Sequence, residues 1–222
     1  VDKTGRPGPF TWEAGDYPDG HDDYPVSGIS WYEAAAYAEY AGKSLPTAEH
    51  WGSGIGFYMP FIDVLFGSKL IPLSNFNGNN SEPVGKSHGL SCFGAYDMAG
   101  NVKEWCWNET PAGHIIRGGA WNDPTYMYSD MSQLPSFDRS EKNGFRCVQY
   151  IDKENIPESA FQLIKNIEGW YGYSGERDFS KEIPVENNIF AIYKNQFLYD
   201  KTDLNDKIEK TDSSNKDWII EK

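Results

Sequence analysis

The chain has 222 residues, enough for one large domain with a sizeable core, and 15% of its residues are aromatic. Its 33 acidic and 20 basic side chains give a formal net charge of -13, which repels nucleic-acid backbones and anionic lipid at long range. The sequence has neither an apolar run long enough to cross a membrane nor a basic-then-apolar leader, so we expect no nucleic-acid partner and no membrane segment.

Two helices are predicted early in the chain. Ser30 is placed to cap a run of good helix formers, and Glu33 is placed to return the second bond of a capping box. This pattern predicts a helix from Trp31 to Ala41. Thr47 can cap a second helix around Ala48 to Trp51, and two following glycines leave its end open.

The middle of the chain is predicted to hold turns and short strands. Residues Met59 to Leu73 are apolar without a clean period, and Asn75 to Asn80 form an amide-rich, turn-rich loop that could bind a cation. Short apolar pieces bounded by glycine or polar turns predict strands at Pro83–Val84, Ile115–Arg117 and Phe145–Val148.

The character of the sequence changes near residue 150. The residues that follow are charged and interrupted by proline, which predicts a domain over residues 1–150 and a separate segment over residues 151–222. Within that segment, Asn187 to Phe197 fits a short amphipathic helix, and the charged run from Asp200 to Asp217 is predicted to be solvated. The chain begins at Val1 rather than Met, so we expect it to be a piece of a longer protein.

Cysteine usage favours a reduced compartment. Cys92, Cys106 and Cys147 cannot all pair, and they lack the close Cys/His spacing of a structural zinc site. The sequence therefore predicts a cytoplasmic protein with free thiols.

Three motifs concentrate glycine, tryptophan, acidic and amide side chains. They are Gly94 to Trp107 (GAYDMAGNVKEWCW), Arg117 to Trp121 (RGGAW) and Asn143 to Cys147 (NGFRC). Together with the first predicted helix and Leu45-Pro46-Thr47, they follow the order found in the formylglycine-generating, sulfatase-modifying-factor family, which residues 22–150 resemble. The ordered set makes the resemblance specific.

The resemblance implies an α+β fold, a loop-rich variant of the C-type lectin fold with two helices and short antiparallel strands. It implies further N-terminal strands, which this chain lacks. Secreted proteins similar to this family pair the cysteine at the Cys147 position with one in the first helix, where this chain has Ala38. The missing partner agrees with a reduced compartment.

Hard oxygen ligands for calcium occur in the first motif, as Asp97, Glu104 and the backbone carbonyls between them. The resemblance narrows this set to Asp97, the carbonyls of Gly100 and Val102, and Glu104. It also implies a second calcium loop that begins at Asn75 and the carbonyl of Phe76, but the following stretch is shortened here. From the residues alone, the alternative is that Asp97 caps a turn and Glu104 pairs with a cationic side chain.

Copper chemistry is the activity that the resemblance implies for active members, which oxidise a substrate cysteine using copper held by two cysteines after a Gly-Gly-Ser segment. Asp123 and Tyr128 stand at those two positions in this chain. Ala120 replaces the serine and Lys103 replaces a pocket tryptophan. Since soft Cu(I) prefers thiolates, the sequence argues against copper-dependent oxidation.

Other catalytic signatures are also lacking. The chain resembles a superfamily that includes iron-dependent, ergothioneine-type sulfoxide synthases, but its four histidines share no helical face; they are His21, His50, His88 and His114. No nucleophile elbow or phosphate-binding glycine loop occurs in the sequence.

Aromatic and arginine side chains are candidates for a ligand pocket. Trp121, Tyr126, Tyr128 and Phe137 could line a groove for a peptide or small molecule, or pack in the core. Arg117 and Asp123 are further pocket candidates, and Arg117 and Arg146 could instead be buried partners of carboxylates.

Four further motifs also resemble bacterial multidomain proteins in which a serine/threonine kinase precedes this domain and an α/β-hydrolase-like domain follows; they are Phe10 to Trp12, His21 to Val26, Ala120 to Pro124 and Tyr199 to Asn205. The resemblance implies that residues 151–222 are a linker and the first segment of that next domain. The sequence thus predicts a non-catalytic, calcium-stabilised binding or regulatory module. The alternative is a divergent formylglycine-generating-type oxidase or a metal-dependent oxygenase.

Overall fold

The computed structural model describes residues 8–58, 66–165 and 167. Within these ranges lie two α-helices, α1 (Trp31–Tyr40) and α2 (Ala48–Ile55), and a sheet of four strands. The strands are β1 (Lys103–Thr110), β2 (Gly113–Arg117), β3 (Met131–Leu134) and β4 (Asn143–Gly144). The predicted α+β class, with two helices and short strands, is confirmed.

Helix α1 begins and ends where its local signals predict, within one residue. The Ser30 hydroxyl accepts from the Glu33 amide, and the Glu33 carboxylate accepts from the Ser30 amide at 2.8 Å, which completes the capping box. At the other end Gly42 has φ +68°, and the Lys43 amide donates to the Ala38 carbonyl at 2.8 Å. This is a Schellman motif, which satisfies carbonyls that the helix leaves open.

Helix α2 runs further than the sequence indicates. Thr47 caps it, as its hydroxyl accepts from the His50 amide at 3.2 Å. The helix continues through Gly52 to a left-handed cap at Gly56, with φ +106°. A Cβ at Gly52 would lie 3.4 Å from side-chain atoms of Arg117, Phe57 and Tyr58, which is ordinary van der Waals contact, so neighbouring side chains pack closely around this helical glycine.

The sheet has the order β3-β2-β1-β4. β1 pairs antiparallel with β2, β2 pairs antiparallel with β3, and the short β4 lies parallel to β1. The prediction of antiparallel strands is therefore correct for β1, β2 and β3, and wrong for the pairing of β4 with β1. In the β1–β2 register Glu104 is paired with Arg117, so these two motif residues are direct neighbours across the two strands.

Two hydrophobic clusters lie on opposite faces of β1 and β2. Trp105 and Ile116 pack in the cluster that contains the buried face of α1. Cys106 and Ile115, the next residues on each strand, pack in the cluster that contains α2. Because neighbouring strand residues point to opposite faces, β1 and β2 are buried on both sides at these positions.

Two strand predictions are wrong and one is confirmed. Ile115–Arg117 lies in β2, but Pro83–Val84 lies in a turn. In Phe145–Val148 only Val148 forms a bridge, to Ser44, because the strand pairing with β1 ends at Gly144. The predicted helix at residues 187–197 and the charged run at residues 200–217 lie outside the described residues.

The segment after residue 150 packs against the domain where it is described. The Asn108 side-chain amide donates to the Ala160 carbonyl at 2.8 Å, and the Ile164 amide donates to the Glu109 carbonyl at 2.9 Å. Ile164 is buried in the cluster that contains α2. The start of the predicted second segment therefore contributes to the first domain's core.

Candidate functional site

Glu104 is the centre of a buried polar cluster at the start of β1. Both of its carboxylate oxygens accept from the Arg146 guanidinium, at 2.6 Å each, and Oε2 also accepts from the Trp51 indole at 2.7 Å. The Glu104 side chain is only 6% exposed. A bidentate, charge-assisted pair of this kind fixes both orientation and charge. Of the alternatives left open by the sequence, the structure shows Glu104 and Arg146 as an ion pair.

Asp97 lies close enough to the same guanidinium to interact with its charge. Its backbone is left-handed, with φ +54°, and its Oδ2 accepts from the Gly85 amide at 2.7 Å. Burial raises the pKa of Asp97 above its ordinary value, and the nearby Glu104 and Glu82 carboxylates raise it further. The hydrogen bond from the Gly85 amide and the charge of Arg146 lower this pKa but do not cancel the increase. Burial lowers the pKa of Arg146, but Glu104 and Asp97 outweigh it and raise that pKa overall.

The loop from Gly100 to Val102 is joined to the Asn75 segment by Asn101. The Asn101 amide donates to the Asn75 carbonyl at 2.9 Å, and the Asn101 side chain bonds both the amide and the carbonyl of Glu82. Phe76 packs beside Gly100, where a Cβ would lie 2.4 Å from the Asn75 carbonyl oxygen. Asn101 is buried and holds both predicted calcium loops, a role that the sequence analysis missed.

The predicted calcium ligands fit a cation only in part. The Glu104 carboxylate already accepts three hydrogen bonds from Arg146 and Trp51. Asn75 directs its side-chain amide to Asn80 and Asn101. Among the described residues, no three His, Cys, Asp or Glu side chains group as a metal site. What remains for calcium is the Asp97 carboxylate with the carbonyls of Gly100 and Val102 and, at the second loop, the Asn75 Oδ1 with the Phe76 carbonyl, since Asn75 donates only through its side-chain nitrogen. Both sets are of low charge.

The two positions that correspond to the copper cysteines have different surroundings. The Asp123 carboxylate pairs with the Lys103 ammonium at 3.1 Å and accepts from the Ala120 amide at 3.0 Å. Their side chains are 15% and 18% exposed, so this ion pair is largely shielded from water. Lys103 and Asp123, both departures from the family motif, thus neutralise each other. The sequence already indicated this ion pair, because Lys103 and Asp123 place opposite charges at two positions that the resemblance assigns to the pocket.

Tyr128 is part of an aromatic cluster. Its ring centroid lies 5.2 Å from that of Phe66 and 6.2 Å from that of Phe57. The Arg117 guanidinium lies 5.0 Å from the Phe57 ring and 4.9 Å from the Trp51 ring, and it donates to the Ala48 carbonyl at 3.0 Å. Of the open alternatives, the structure shows packing for Tyr128 and a buried, stacked position for Arg117.

Of the remaining aromatic candidates, Trp121 is held by backbone hydrogen bonds, and Tyr126 and Phe137 lie on the surface. The Trp121 carbonyl accepts from the Gly78 amide at 2.6 Å, and its own amide donates to Asn101. Tyr126 and Phe137 are 71% and 72% exposed. Phe137 contacts Tyr32 of α1 with ring centroids 4.7 Å apart. These residues do not line one common groove in the contacts that the structure shows.

The histidines and cysteines occupy separate places. His50 bonds Thr47 at 2.6 Å, His114 bonds Ser136 at 2.7 Å, and His21 stacks on Tyr24. All three cysteines are free, and burial raises the pKa of Cys106 to about 12, so that thiol is unreactive. In the part of the chain that is described, no helix is long and apolar enough to cross a membrane.

Comparisons with known proteins agree with this architecture. Residues 8–56 and 65–151 match the family model for the sulfatase-modifying factor enzyme 1-like domain. Serine/threonine-protein kinase Pkn1 of Chlamydia trachomatis serovar L2 is 33% identical over an alignment of 127 positions that covers 46% of this chain and 20% of that protein. Inactive C-alpha-formylglycine-generating enzyme 2 of Bos taurus is 29% identical over an alignment of 157 positions that covers 57% of this chain and 50% of that protein.

An active-type relative and a solved structure complete the comparison. Formylglycine-generating enzyme of Streptomyces coelicolor is 27% identical over 60% of this chain and 55% of its own length. Treponema denticola variable protein 1 has the same fold, with a TM-score of 0.50 at 17% identity over 65% of this chain and 77% of its own. The chain spans a fifth to about half of the sequence relatives described here. Because the family model covers more than half of its residues, the chain belongs to the sulfatase-modifying factor enzyme 1-like domain family.

Proposed function

We propose that this domain is a non-catalytic binding or regulatory module of a multidomain bacterial protein. One observation carries the proposal, the Lys103–Asp123 ion pair with its nitrogen and oxygen 3.1 Å apart. It stands where active members hold copper and a pocket tryptophan. A carboxylate and an ammonium supply neither the soft thiolates that Cu(I) prefers nor an empty pocket for a substrate thiol.

The family's oxidation chemistry provides a direct test. The 222-residue chain is loaded with copper and incubated with a cysteine-containing peptide, and loss of the thiol is followed by mass spectrometry. We expect no turnover beyond that of free copper. Turnover above that background would overturn the non-catalytic function in favour of a divergent oxidase.

Copper affinity gives a second readout that does not depend on activity. A chromophoric Cu(I) chelator competes with the chain, with Cys92→Ser in every sample because Cys92 is an exposed thiol. We expect the chelator to retain the copper against this protein and to lose it to a variant that also carries Asp123→Cys and Tyr128→Cys. Tight Cu(I) binding without the added cysteines would contradict the proposal.

The multidomain parent is a separate part of the proposal. It is supported by the likeness to Pkn1 proteins from Chlamydia, of which this chain covers a fifth to a quarter. We propose a kinase domain before residue 1 and, following residues 151–222, a hydrolase-like domain. The flanking coding sequence tests both. Kinase autophosphorylation of the full-length parent, with and without this domain, then tests regulation, and identical rates would exclude it.

Calcium stabilisation is also a proposal, with Asp97 and the carbonyls of Gly100 and Val102 as ligands. The half-buried position of Asp97 and its carboxylate neighbours support it, since a cation would relieve their repulsion. Only one carboxylate is available, so we expect an affinity of about 0.1 to 1 mM. At tenfold excess over the Kd, calcium would then stabilise the fold by about 1.4 kcal/mol.

Thermal melting tests this site with Asp97→Asn as the matched variant. Asparagine tolerates the left-handed backbone of Asp97 and removes only the charge. We expect millimolar calcium to raise the Tm of the unmodified chain and to leave that of Asp97→Asn unchanged. Equal melting of the unmodified chain in calcium and in chelator would exclude the site.

A further inference from the structure

A cavity of about 320 Å³ lies in the N-terminal part of the domain. We call it the N-terminal cavity. Its lining comes from residues 11–27 and from Ser81, and includes Trp12, Tyr17, His21, Asp22 and Tyr24. It shares no residue with the Glu104 cluster or with the Lys103–Asp123 pair, so neither of those features accounts for it.

Four aromatic rings line this cavity. Trp12 and Tyr17 meet edge to face, with centroids 5.9 Å apart and planes at 70°. His21 and Tyr24 stack, with centroids 4.0 Å apart and planes at 11°. Tyr17 remains 44% exposed. Aromatic rings gathered around an open space offer a surface that attracts cations to their faces.

The segment that forms most of the cavity wall carries charge of one sign. Residues 8–42 contain no lysine or arginine, but five acidic residues occur within the short stretch that forms the walls: Glu13, Asp16, Asp19, Asp22 and Asp23. None of the ion pairs among the described residues includes any of these five carboxylates. Asp22 itself lines the cavity. These carboxylates contribute a negative potential beside the aromatic lining, and Arg139, a cation that donates to the Gly8 carbonyl beside Trp12, is itself paired with Glu33.

The walls are tied to the rest of the fold. The Thr11 hydroxyl donates to the Ser27 carbonyl at 2.7 Å, and the Phe10 amide donates to the Gly28 carbonyl at 2.7 Å. The Val84 amide donates to the Asp23 carbonyl at 2.8 Å, which fixes the loop that carries Ser81. A cavity held in this way is formed before a ligand arrives, so binding would cost little reorganisation.

We propose that the N-terminal cavity binds an organic cation, an alkylammonium or guanidinium group. Its source is either a free amine or the lysine or arginine side chain of a peptide. The aromatic rings supply cation–π contacts, the Asp22 carboxylate supplies the counter-charge, and the acidic surroundings exclude phosphate and other anions. This site does not depend on the proposed loss of catalysis, and it gives the domain a ligand of defined chemistry.

NMR titration of the 222-residue chain tests the site. The probes are tetramethylammonium chloride, acetyl-arginine amide and an arginine-containing tetrapeptide, with acetyl-glutamate amide as the anionic control. We expect the three cations to shift the Trp12 indole resonance with saturation, and higher salt to weaken them. Tighter binding of the tetrapeptide would identify a peptide as the source, and equal binding of tetramethylammonium would identify a free amine.

Two variants and a control locate the binding. Asp22→Asn removes the charge at an exposed side chain, and Trp12→Leu removes the ring; each should weaken binding by roughly two- to fivefold, the size of one cation–π contact at a partly exposed site. For Trp12→Leu, binding is read from the ligand resonances. Glu49→Gln on α2 makes the same change in net charge away from the cavity and should bind as the unmodified chain does. Unchanged affinity in Asp22→Asn and Trp12→Leu, or equal binding of the glutamate amide, would overturn the proposal.

Discussion

At the scale of single residues, Glu104 shows how one buried carboxylate can join three distant parts of the chain. It lies on β1, accepts from Trp51 on α2 and from Arg146 after β4, and faces Arg117 on β2. Removing one partner of such a pair leaves a buried charge without compensation, which costs more than the pair contributes when intact. The Glu104 carboxylate and the Arg146 guanidinium should therefore tolerate joint replacement better than single replacement.

Arg146→Met is expected to lower the free energy of unfolding by about 3 kcal/mol, the low end for a buried pair because the Arg146 side chain is 26% exposed. Adding Glu104→Gln should recover part of that loss. Lys86→Met is the matched control, since it breaks a surface pair with Glu82 and should cost at most about 1 kcal/mol. Urea denaturation measures all three. A loss no larger in Arg146→Met than in Lys86→Met would contradict this account.

His114 provides a pH-dependent term. It is 6% exposed, stacks on Trp31 with centroids 3.7 Å apart and bonds Ser136. Burial lowers its pKa, and the Glu109 charge opposes that effect. The unfolded chain therefore takes up a proton first, so stability is complete above about pH 6.5 and falls as the pH decreases from there toward the folded-state pKa.

His114→Phe keeps a ring against Trp31 and removes the titration. We expect the free energy of unfolding to depend less steeply on pH between about 5.5 and 7.5 in this variant, by at most about 1.4 kcal/mol per pH unit. Denaturation at a series of pH values measures the slope. His50, whose pKa burial also lowers, contributes to the dependence that remains. An identical slope in both proteins would show that His114 does not titrate with unfolding.

Whether the sequence predicts a feature of the site depends on how many positions separate the interacting residues along the chain. The motif order identifies the family, and the replacements at Asp123, Tyr128, Ala120 and Lys103 are visible in it. The pairing of Lys103 with Asp123 crosses 20 positions, and that of Glu104 with Arg146 crosses 42. No local pattern encodes such pairs, because they depend on how the loops close around the sheet.

At the scale of elements, local signals predict helices well and strands poorly. The bounds of α1 follow from Ser30, Glu33 and Gly42, all within one helical turn of an end. In contrast, no strand was predicted at β1, and its eight residues form a strand because β2 and β4 pair with it. The alternation of apolar and polar residues that marks a strand is absent, because Glu104 to Cys106 are buried in succession and, further on, Trp107 is exposed while Asn108 is buried.

The turn between β1 and β2 depends on Gly113. Its φ is +138°, and a Cβ there would lie 2.0 Å from the Leu134 carbonyl oxygen on β3. Gly113→Ala should therefore strain the backbone and force β3 away. We expect it to destabilise the fold by at least about 2 kcal/mol more than Gly42→Ala, which has φ +68° and open space.

Chemical denaturation of the two alanine variants separates backbone strain from steric conflict, since both glycines have positive φ but only Gly113 is crowded. Hydrogen exchange at the β2–β3 pairing should also be faster in Gly113→Ala than in Gly42→Ala. Equal stability of the two variants would mean that β3 accommodates the methyl group.

At the scale of the whole molecule, the edge of the domain is set by packing rather than by composition. The charged, proline-interrupted stretch after residue 150 resembles a boundary, but Ala160 and Ile164 further along the chain return to the sheet. Asn108, buried in β1, has its side-chain amide satisfied by the Ala160 carbonyl. A buried amide without a hydrogen-bond partner is destabilising. The segment after residue 150 therefore supplies β1 with a hydrogen-bond acceptor as well as with apolar contacts.

Ile164 and its neighbour Leu163 allow this dependence to be measured within the intact chain. Ile164 is 8% exposed and packs in the cluster with α2, whereas Leu163 is 44% exposed. Ile164→Ala should lower the free energy of unfolding of the domain by about 2 kcal/mol, and Leu163→Ala by less than about 1 kcal/mol, because only the first leaves a cavity. Thermal and urea unfolding, followed by tryptophan fluorescence, should give one cooperative transition that shifts for Ile164→Ala. If the two variants unfold alike, residues beyond 150 merely rest on a domain that is stable without them.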